Sequence, residues 1–330
     1  MNRSSTITQL EKRFENNPIY IYLRTNIGIL AAFFAMFILL TILSPNFLTA
    51  DNWFNILRQI SLNMMLSAGV MLAILIGGID LTCGSIVALS GCTSAILLQN
   101  GMNSVPMAVL IGCLIGGVTG LANGLIIAHT GMPPFIVTLA MQGICRGAAY
   151  LVANGQPIRI PNESFQKIGT GYVGDVPLPV IYIIILIIAF FLLLNKTKTG
   201  RHIYAVGGNI EAARFSGIKT KRVQILVYSL SGLLAGFAGV MLAARMASGQ
   251  PAVGLAYETD AIAAAVLGGT SMTGGVGSIG GMVIGALVLG ILSNGLNLLH
   301  VNSFWQYVAK GLVILIAVYI DMFRKRKERG

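Results

Sequence analysis

The chain is poor in charge. Asp, Glu, Lys and Arg make up 10% of its 330 residues, where a soluble domain carries about 25%. That scarcity excludes a soluble globular core as the body of the protein. Acids are scarcer than bases, 11 against 22, which leaves a formal net charge of +11. Such an excess could suit nucleic acid, but its distribution excludes that partner. Sixteen of the 22 Lys and Arg fall in three places: an N-terminal tail (Arg3, Lys12, Arg13, Arg24), an internal loop (Lys196, Lys198, Arg201, Arg214, Lys219, Lys221, Arg222) and a C-terminal tail (Arg324, Lys325, Arg326, Lys327, Arg329). Cysteine is sparse too. Cys83, Cys92, Cys113 and Cys145 lie in or beside apolar segments, with neither metal spacing nor a pairing pattern, and read as small buried residues. The three histidines, His129, His202 and His300, are scattered at expected helix ends and form no catalytic constellation. No G-x-x-x-x-G-K-[ST] occurs, so the chain has no P-loop to cradle ATP phosphates. Gly268–Gly281, GGTSMTGGVGSIGG, is glycine-rich but lacks the lysine and reads as a non-helical kink. An enzyme active site, a bound metal and a resident cofactor are therefore not expected.

What the chain has is apolar length. It is 55% hydrophobic, in runs such as Leu178–Leu194 and Val223–Ala244. Each approaches the roughly 20 residues that cross a bilayer core as a helix. Forty glycines suit close helix–helix contact in lipid. These features predict an all-α polytopic membrane protein with one transmembrane domain, residues 26–323. It is flanked by a polar tail, 1–25, and a basic tail, 324–330. The apolar run near Ile27 starts too late and runs too long for a cleaved signal and reads as the first span. The positive-inside pattern puts both tails and the 195–222 loop in the cytoplasm, and the tails can touch anionic lipid headgroups.

About ten spans satisfy that topology: Ile27–Leu43, Ile60–Ile76, Gly84–Leu98, Val105–Ala128, Phe135–Ala153, Leu178–Leu194, Val223–Ala244, Tyr257–Gly269, Val276–Leu299 and Phe304–Ile320. A short amphipathic stretch, Asp51–Arg58, is expected outside the membrane, and an outer loop runs from Asn154 to Pro177. Spans 3 and 8 are short and are expected to be broken or tilted. Leu121–His129, LANGLIIAH, resembles Leu292–His300, LSNGLNLLH. On this topology the copies run in opposite directions, which predicts a five-span inverted repeat of the kind common in transporters; chance similarity in an apolar chain is the alternative.

The most charged internal stretch, Asn195–Arg222, carries a helix signal in its middle. Asn209 is a good N-cap, Glu211 falls in the first turn, Ala212 and Ala213 are strong formers, Ser216 follows, and Gly217 suits the C′ position. A two-turn helix is marginal alone in water and needs a surface to dock on. The bland alternative is a basic loop anchoring its flanking helices. GRHIYAVGGNIEAARFSGIKT here, with Gly77–Gly91 (GGIDLTCGSIVALSG), Ala153–Ile158 (ANGQPI) and Ser248–Gly275 (SGQPAVGLAYETDAIAAAVLGGTSMTGG), resembles the ribose-type sugar permeases of ATP-binding-cassette importers. The resemblance runs from about Ser44 to the C-terminus. One departure is Asp80-Leu81-Thr82-Cys83-Gly84, where DLSVG would be expected. Threonine keeps the hydroxyl, and cysteine keeps a small apolar side chain.

The resemblance implies a bacterial cytoplasmic (inner) membrane permease subunit that imports a monosaccharide, ribose or a similar sugar. It implies a separate ATPase subunit holding the ATP and Mg, with Asn209–Gly217 docked on it. It also implies a second permease copy, identical or homologous, and an extracytoplasmic sugar-binding protein. A neutral sugar calls for amides, hydroxyls and aromatic faces along its path. The candidates are Asn63, Thr82, Asn123, Thr138, Gln142, Asn294, Asn297 and Gln306, with Phe135 and Tyr257 as stacking surfaces; each amide could equally serve as interhelical glue. Asp80, beside the Gly77-Gly78 break, fits a hinge or a pathway. Arg146, Glu258, Asp260 and Lys310 read either as structural ion pairs or as facing water. Asn154, Gln156 and Gln250, in two Gly-Gln-Pro turns after ascending spans, are candidates for contact with the binding protein; plain turn chemistry is the alternative. The rival readings are an ion-coupled secondary transporter and a membrane scaffold.

Overall fold

A computed structural model describes residues 27–313, 315 and 319, apart from 103 and 303. The tails 1–25 and 324–330, and the end of the tenth expected span, lie outside the described residues.

Helix α1, Ile27–Leu43, stops at Ser44-Pro45. A residue before proline is pushed out of helical backbone, so the stop is local chemistry. Helix α2 spans Ala50–Leu75, with the Thr49 side chain accepting from the Asn52 amide and Asp51 in the first turn. The separate stretch expected at 51–58 is instead the first two turns of α2; no glycine or proline interrupts 50–68, so the helix runs through. Helices α3 (Cys83–Gln99), α4 (Val105–Thr130) and α5 (Pro134–Val152) follow. The 154–177 loop is structured: it holds a two-residue strand β1 (Ile158–Arg159), helix α6 (Glu163–Thr170) and a hairpin of β2 (Tyr172–Val173) and β3 (Val176–Pro177). Then come α7 (Leu178–Lys196), α8 (Lys198–Gly208), α9 (Ile210–Phe215) and α10 (Thr220–Met246). Strand β4 (Ser248–Gly249), α11 (Tyr257–Leu267), α12 (Ile279–Leu298) and a helix α13 over 304–313 complete the described chain.

Six of these helices are long and apolar enough to cross a membrane: α2, α4, α5, α7, α10 and α12. This is a multi-pass membrane protein. In α2, α10 and α12 two thirds or more of the most apolar window is buried, whereas in α4, α5 and α7 the figure is 22%, 22% and 28%. The first three therefore form the interior, and the others turn apolar side chains outward, as lipid-facing helices do.

Helix α4 packs directly on α10. A Cβ built on Gly116 would lie 2.2 Å from the Gly232 carbonyl oxygen, and one on Gly120 would lie 2.1 Å from that of Tyr228. The two backbones touch, and the glycine spacing in α4 exists for that contact.

Candidate functional site

The loop between α7 and α10 folds as two helices. Thr197 caps α8, accepting from the Gly200 amide at 3.1 Å. Asn209 caps α9, its side-chain oxygen accepting from the Ala212 amide at 2.9 Å. Glu211 stands in the first turn of α9, where the dipole favours an acid. Gly217 has φ +81°. Its amide bonds the Arg214 carbonyl at 3.0 Å, and the Ile218 amide bonds that of Ala213 at 3.1 Å. That pair of bonds is a Schellman motif, with Gly217 at C′ as its sequence suggests. Ser216 folds its hydroxyl back onto the Ala212 carbonyl. Ala212 and Ala213 divide: Ala212 is exposed, whereas Ala213 is buried against its own chain. The outward face of α9 belongs to Ala212, Ile210 and Phe215, which is 88% exposed, the most of any large apolar side chain described. Helix α8 was not legible because Gly200, Gly207 and Gly208 depress its propensity. The available signal was Ile203 and Val206, three apart and both buried.

The second constellation is the break between α2 and α3. Helix α2 closes in another Schellman turn, with Gly77 at φ +78° and the Gly78 amide on the Ala73 carbonyl at 2.9 Å. The chain then continues outside helix or strand to Asp80, which is 1% exposed. One Asp80 oxygen accepts from the Thr82 amide at 2.9 Å and from the Thr82 hydroxyl. The other accepts from the Ser231 hydroxyl of α10 at 2.7 Å. Asn123 of α4 donates to Thr82 Oγ1 at 3.2 Å, and the Thr138 hydroxyl of α5 lies between its own Pro134 carbonyl at 2.9 Å and the Ile79 carbonyl at 3.1 Å. The buried Tyr228 hydroxyl would lie 2.2 Å from a Cβ on Gly78, so a larger residue at 78 would have to displace that ring. Four helices thus meet on one irregular turn. Non-helical backbone of this kind is tolerated at membrane depth only when protein or water covers it. Of the path candidates, Asp80, Thr82, Asn123 and Thr138 meet at this turn; Ser231 and Tyr228, which carry no local signal, join them.

The third is a half-helix. Helix α11 has 11 residues, about 16 Å at 1.5 Å per residue, half of a bilayer core of about 30 Å. The chain before it descends beside α3: Gly249 packs on Cys92 and Ala95, and Gly254 packs on Gly84. Arg146 Nη1 pins that run of turns, donating to the carbonyls of Pro251 at 2.7 Å and Val253 at 2.6 Å. Gln142 donates to Glu258 Oε1 at 3.0 Å, while Glu258 Oε2 lies against Gly84. The first turns of α3 and α11 therefore abut. Asp260 pairs with Lys310 at 2.7 Å, tying α11 to α13. Arg146 and Lys310 each have a structural partner.

The remaining path candidates do not converge. Asn294 and Asn52 exchange reciprocal side-chain hydrogen bonds at 2.8 and 3.2 Å, and Gln306 donates to Asn297 at 2.7 Å. These are helix-to-helix bonds. Asn63 is half-buried on α2, Tyr257 half-buried at the head of α11, and Phe135 exposed on α5. At the end of the molecule opposite α9, β1 pairs antiparallel with β4, Ile158 facing Gly249 and Arg159 facing Ser248. That ladder sets the two Gly-Gln-Pro turns side by side, with Asn154 at φ +47°, Gln156 exposed and Gln250 half-buried. An open cavity of about 420 Å³ at the same end lies between α2 and the β2–β3 hairpin, lined by Asp51, Arg58, Tyr172 and Asp175, and holds none of the path candidates.

A membrane-embedded helical bundle with broken helices and a capped helical loop between spans has the build of a transport permease. Residues 52–318 match the family described as branched-chain amino acid transport system / permease component, and the chain belongs to it. It is 46% identical over 297 residues to the ribose import permease protein RbsC of Bacillus subtilis, covering 89% of this chain and 92% of that one. It is 44% identical over 299 residues to RbsC of Escherichia coli K12, covering 88% and 92%. It is 40% identical over 302 residues to the L-arabinose transport system permease protein AraH of the same strain, covering 92% of each. No solved structure matches. The chain is a transport subunit and not a catalytic one.

Proposed function

We propose that this chain is the membrane permease subunit of an ATP-driven importer that carries a monosaccharide, ribose or a similar pentose or hexose, into the cytoplasm. The observation that carries the reading is α9: a helix capped at both ends that offers a naked aromatic, Phe215, from the most basic loop of the chain. A separate ATPase subunit, holding ATP and Mg, is its partner. An extracytoplasmic sugar-binding protein sits on the paired turns around Asn154, Gln156 and Gln250. The permease names of the relatives support the sugar class. Ten spans, an inverted repeat that relates the two abutting short helices α3 and α11, and cytoplasmic tails complete the topology.

A second permease copy is supported by α5. A Cβ on Gly143 or Gly147 would meet nothing, and Ile136, Ile144 and Leu151 beside them are exposed. Phe135, exposed on the same helix, then faces a path between copies.

The test is co-purification and reconstitution. A near-equal amount of ATPase and hydrolysis stimulated by the sugar-loaded binding protein are expected, with labelled pentoses and hexoses assigning the sugar. An ion dependence without an ATPase would favour a secondary transporter, and neither would favour a scaffold. Topology is checked by labelling: a cysteine at Lys219 should resist a membrane-impermeant reagent added to intact cells, and its labelling would sink the ten-span arrangement.

Phe215→Ala should reduce ATPase capture. A buried aromatic anchor is worth about 2 kcal/mol at an interface, a factor of about 30 in affinity, while abundance in the membrane stays normal. Capture equal to wild type would remove Phe215 from the interface. Ala212→Trp should block docking by bulk; Ala213→Trp would strain internal packing instead, because Ala213 is buried. Glu211→Gln should be mild, since exposed ion pairs contribute only about 0–1 kcal/mol.

A further inference from the structure

Helix α8 ends against two other backbones. A Cβ built on Gly207 would lie 1.7 Å from the Leu75 carbonyl oxygen, the last residue of α2, and 2.5 Å from the Gly275 amide nitrogen. The Gly275 amide itself donates to that Leu75 oxygen at 2.9 Å. A Cβ on Gly274 would lie 2.7 Å from the Gly207 carbonyl oxygen and 2.9 Å from the Gly77 nitrogen. Gly274 and Gly275 both hold positive φ, +85° and +74°. Three chain segments therefore touch main chain to main chain: the end of α8, the turn that closes α2, and the glycine-rich loop between α11 and α12. One side chain fastens the contact. The Tyr204 hydroxyl of α8 donates to the Gly277 carbonyl at 2.8 Å. Burial raises the pKa of that hydroxyl, so it remains a donor.

Backbone-to-backbone contact leaves no compliant side chain between the parts, so displacement of one is imposed on the others. On one side of the junction, a single residue, Asn209, separates α8 from α9, and the Asn209 amide bonds the Ala205 carbonyl of α8 at 3.1 Å. On the other side, Gly77 is three residues from Asp80 and its ties to α3 and α10.

We propose that this three-segment junction is where movement of the α8–α9 segment enters the membrane domain, with Gly207 and Tyr204 as positioning residues that carry it to the Asp80 break and, through Gly274 and Gly275, to α11 and α12. The inference rests on the importer reading and adds to it the point of transmission. It makes the α8 contact, and not the docking surface of α9 alone, a determinant of coupling.

The experiment measures sugar taken up per ATP hydrolysed by the reconstituted complex, together with the ATPase-to-permease ratio after purification. Tyr204→Phe removes one hydroxyl and no packing. It should leave the subunit ratio at wild type and lower sugar per ATP at least threefold. Gly207→Ala should lower it at least tenfold, because the methyl group has no room. A purely structural role would cut the yield of complex and leave sugar per ATP unchanged in what survives. An unchanged ratio of sugar to ATP in Tyr204→Phe, at normal assembly, overturns the proposal, and that variant decides if Gly207→Ala does not accumulate. Wild-type permease that neither captures an ATPase nor shows sugar-stimulated hydrolysis would overturn the importer reading itself, a different outcome.

Discussion

Asp80→Ala is expected to abolish uptake. The substitution leaves the Thr82 amide, the Thr82 hydroxyl and the Ser231 hydroxyl facing an apolar methyl in a site that is 1% exposed. Each buried donor left without an acceptor costs about 1–3 kcal/mol. The two hydroxyls can rotate to other acceptors, but the Thr82 amide cannot, because the first turn of α3 holds it. At least one full penalty therefore stands, with the loss of the tie between the α2–α3 break and α10. Asp80→Asn separates charge from shape. Its amide oxygen can accept from the Thr82 amide, and its NH₂ can donate to Ser231 Oγ once that hydroxyl turns away. Asn should therefore accumulate normally and retain part of the uptake. The measurement is labelled-sugar uptake normalised to permease in the membrane. Wild-type uptake by Asp80→Ala would show that the network is dispensable; equal loss in Asn and Ala would show that the negative charge itself is required.

The second large effect is expected at Gly116. Valine there would put three carbons where the nearest non-bonded atom is 2.2 Å from the first of them, and that atom is a backbone carbonyl of α10. A flexible side chain could yield; a helix backbone moves only as a whole. Overpacking a well-filled contact costs about 1–3 kcal/mol and sometimes more. Here the contact joins two helix backbones directly, so the upper part of that range is expected. Gly116→Val should reduce permease abundance and lower the midpoint of thermal unfolding in detergent. Gly143→Val on α5 is the matched control, because a Cβ there has no atom of the same chain within 4 Å. It should leave the single chain intact, and loss of transport in that variant at normal abundance would report the second copy. Normal abundance and midpoint for Gly116→Val would mean that α4 and α10 can separate freely.

Composition and hydropathy alone determined the class of the protein. Ten percent charge, 55% apolar residues and clustered bases admit only a helical multi-pass membrane chain, because lipid cannot satisfy open backbone or unpaired charge. The α9 caps were equally legible: Asn209 and Gly217 act through bonds within five residues of themselves, so local sequence carries them. Local sequence also marked α3 and α11 as short. It misjudged the start of α2, since a polar amphipathic stretch and the head of a long helix look alike until the helix is seen to continue. Only the tertiary structure decided the rest. Ser231 reaches Asp80 from 151 positions away, and Asn294 finds Asn52 across 242. Gly207 meets Leu75 and Gly275 through bare backbone. Such contacts leave no periodic trace in a chain where nearly every residue is small or apolar. They follow from which helices share the interior, and that is set by packing over the whole bundle.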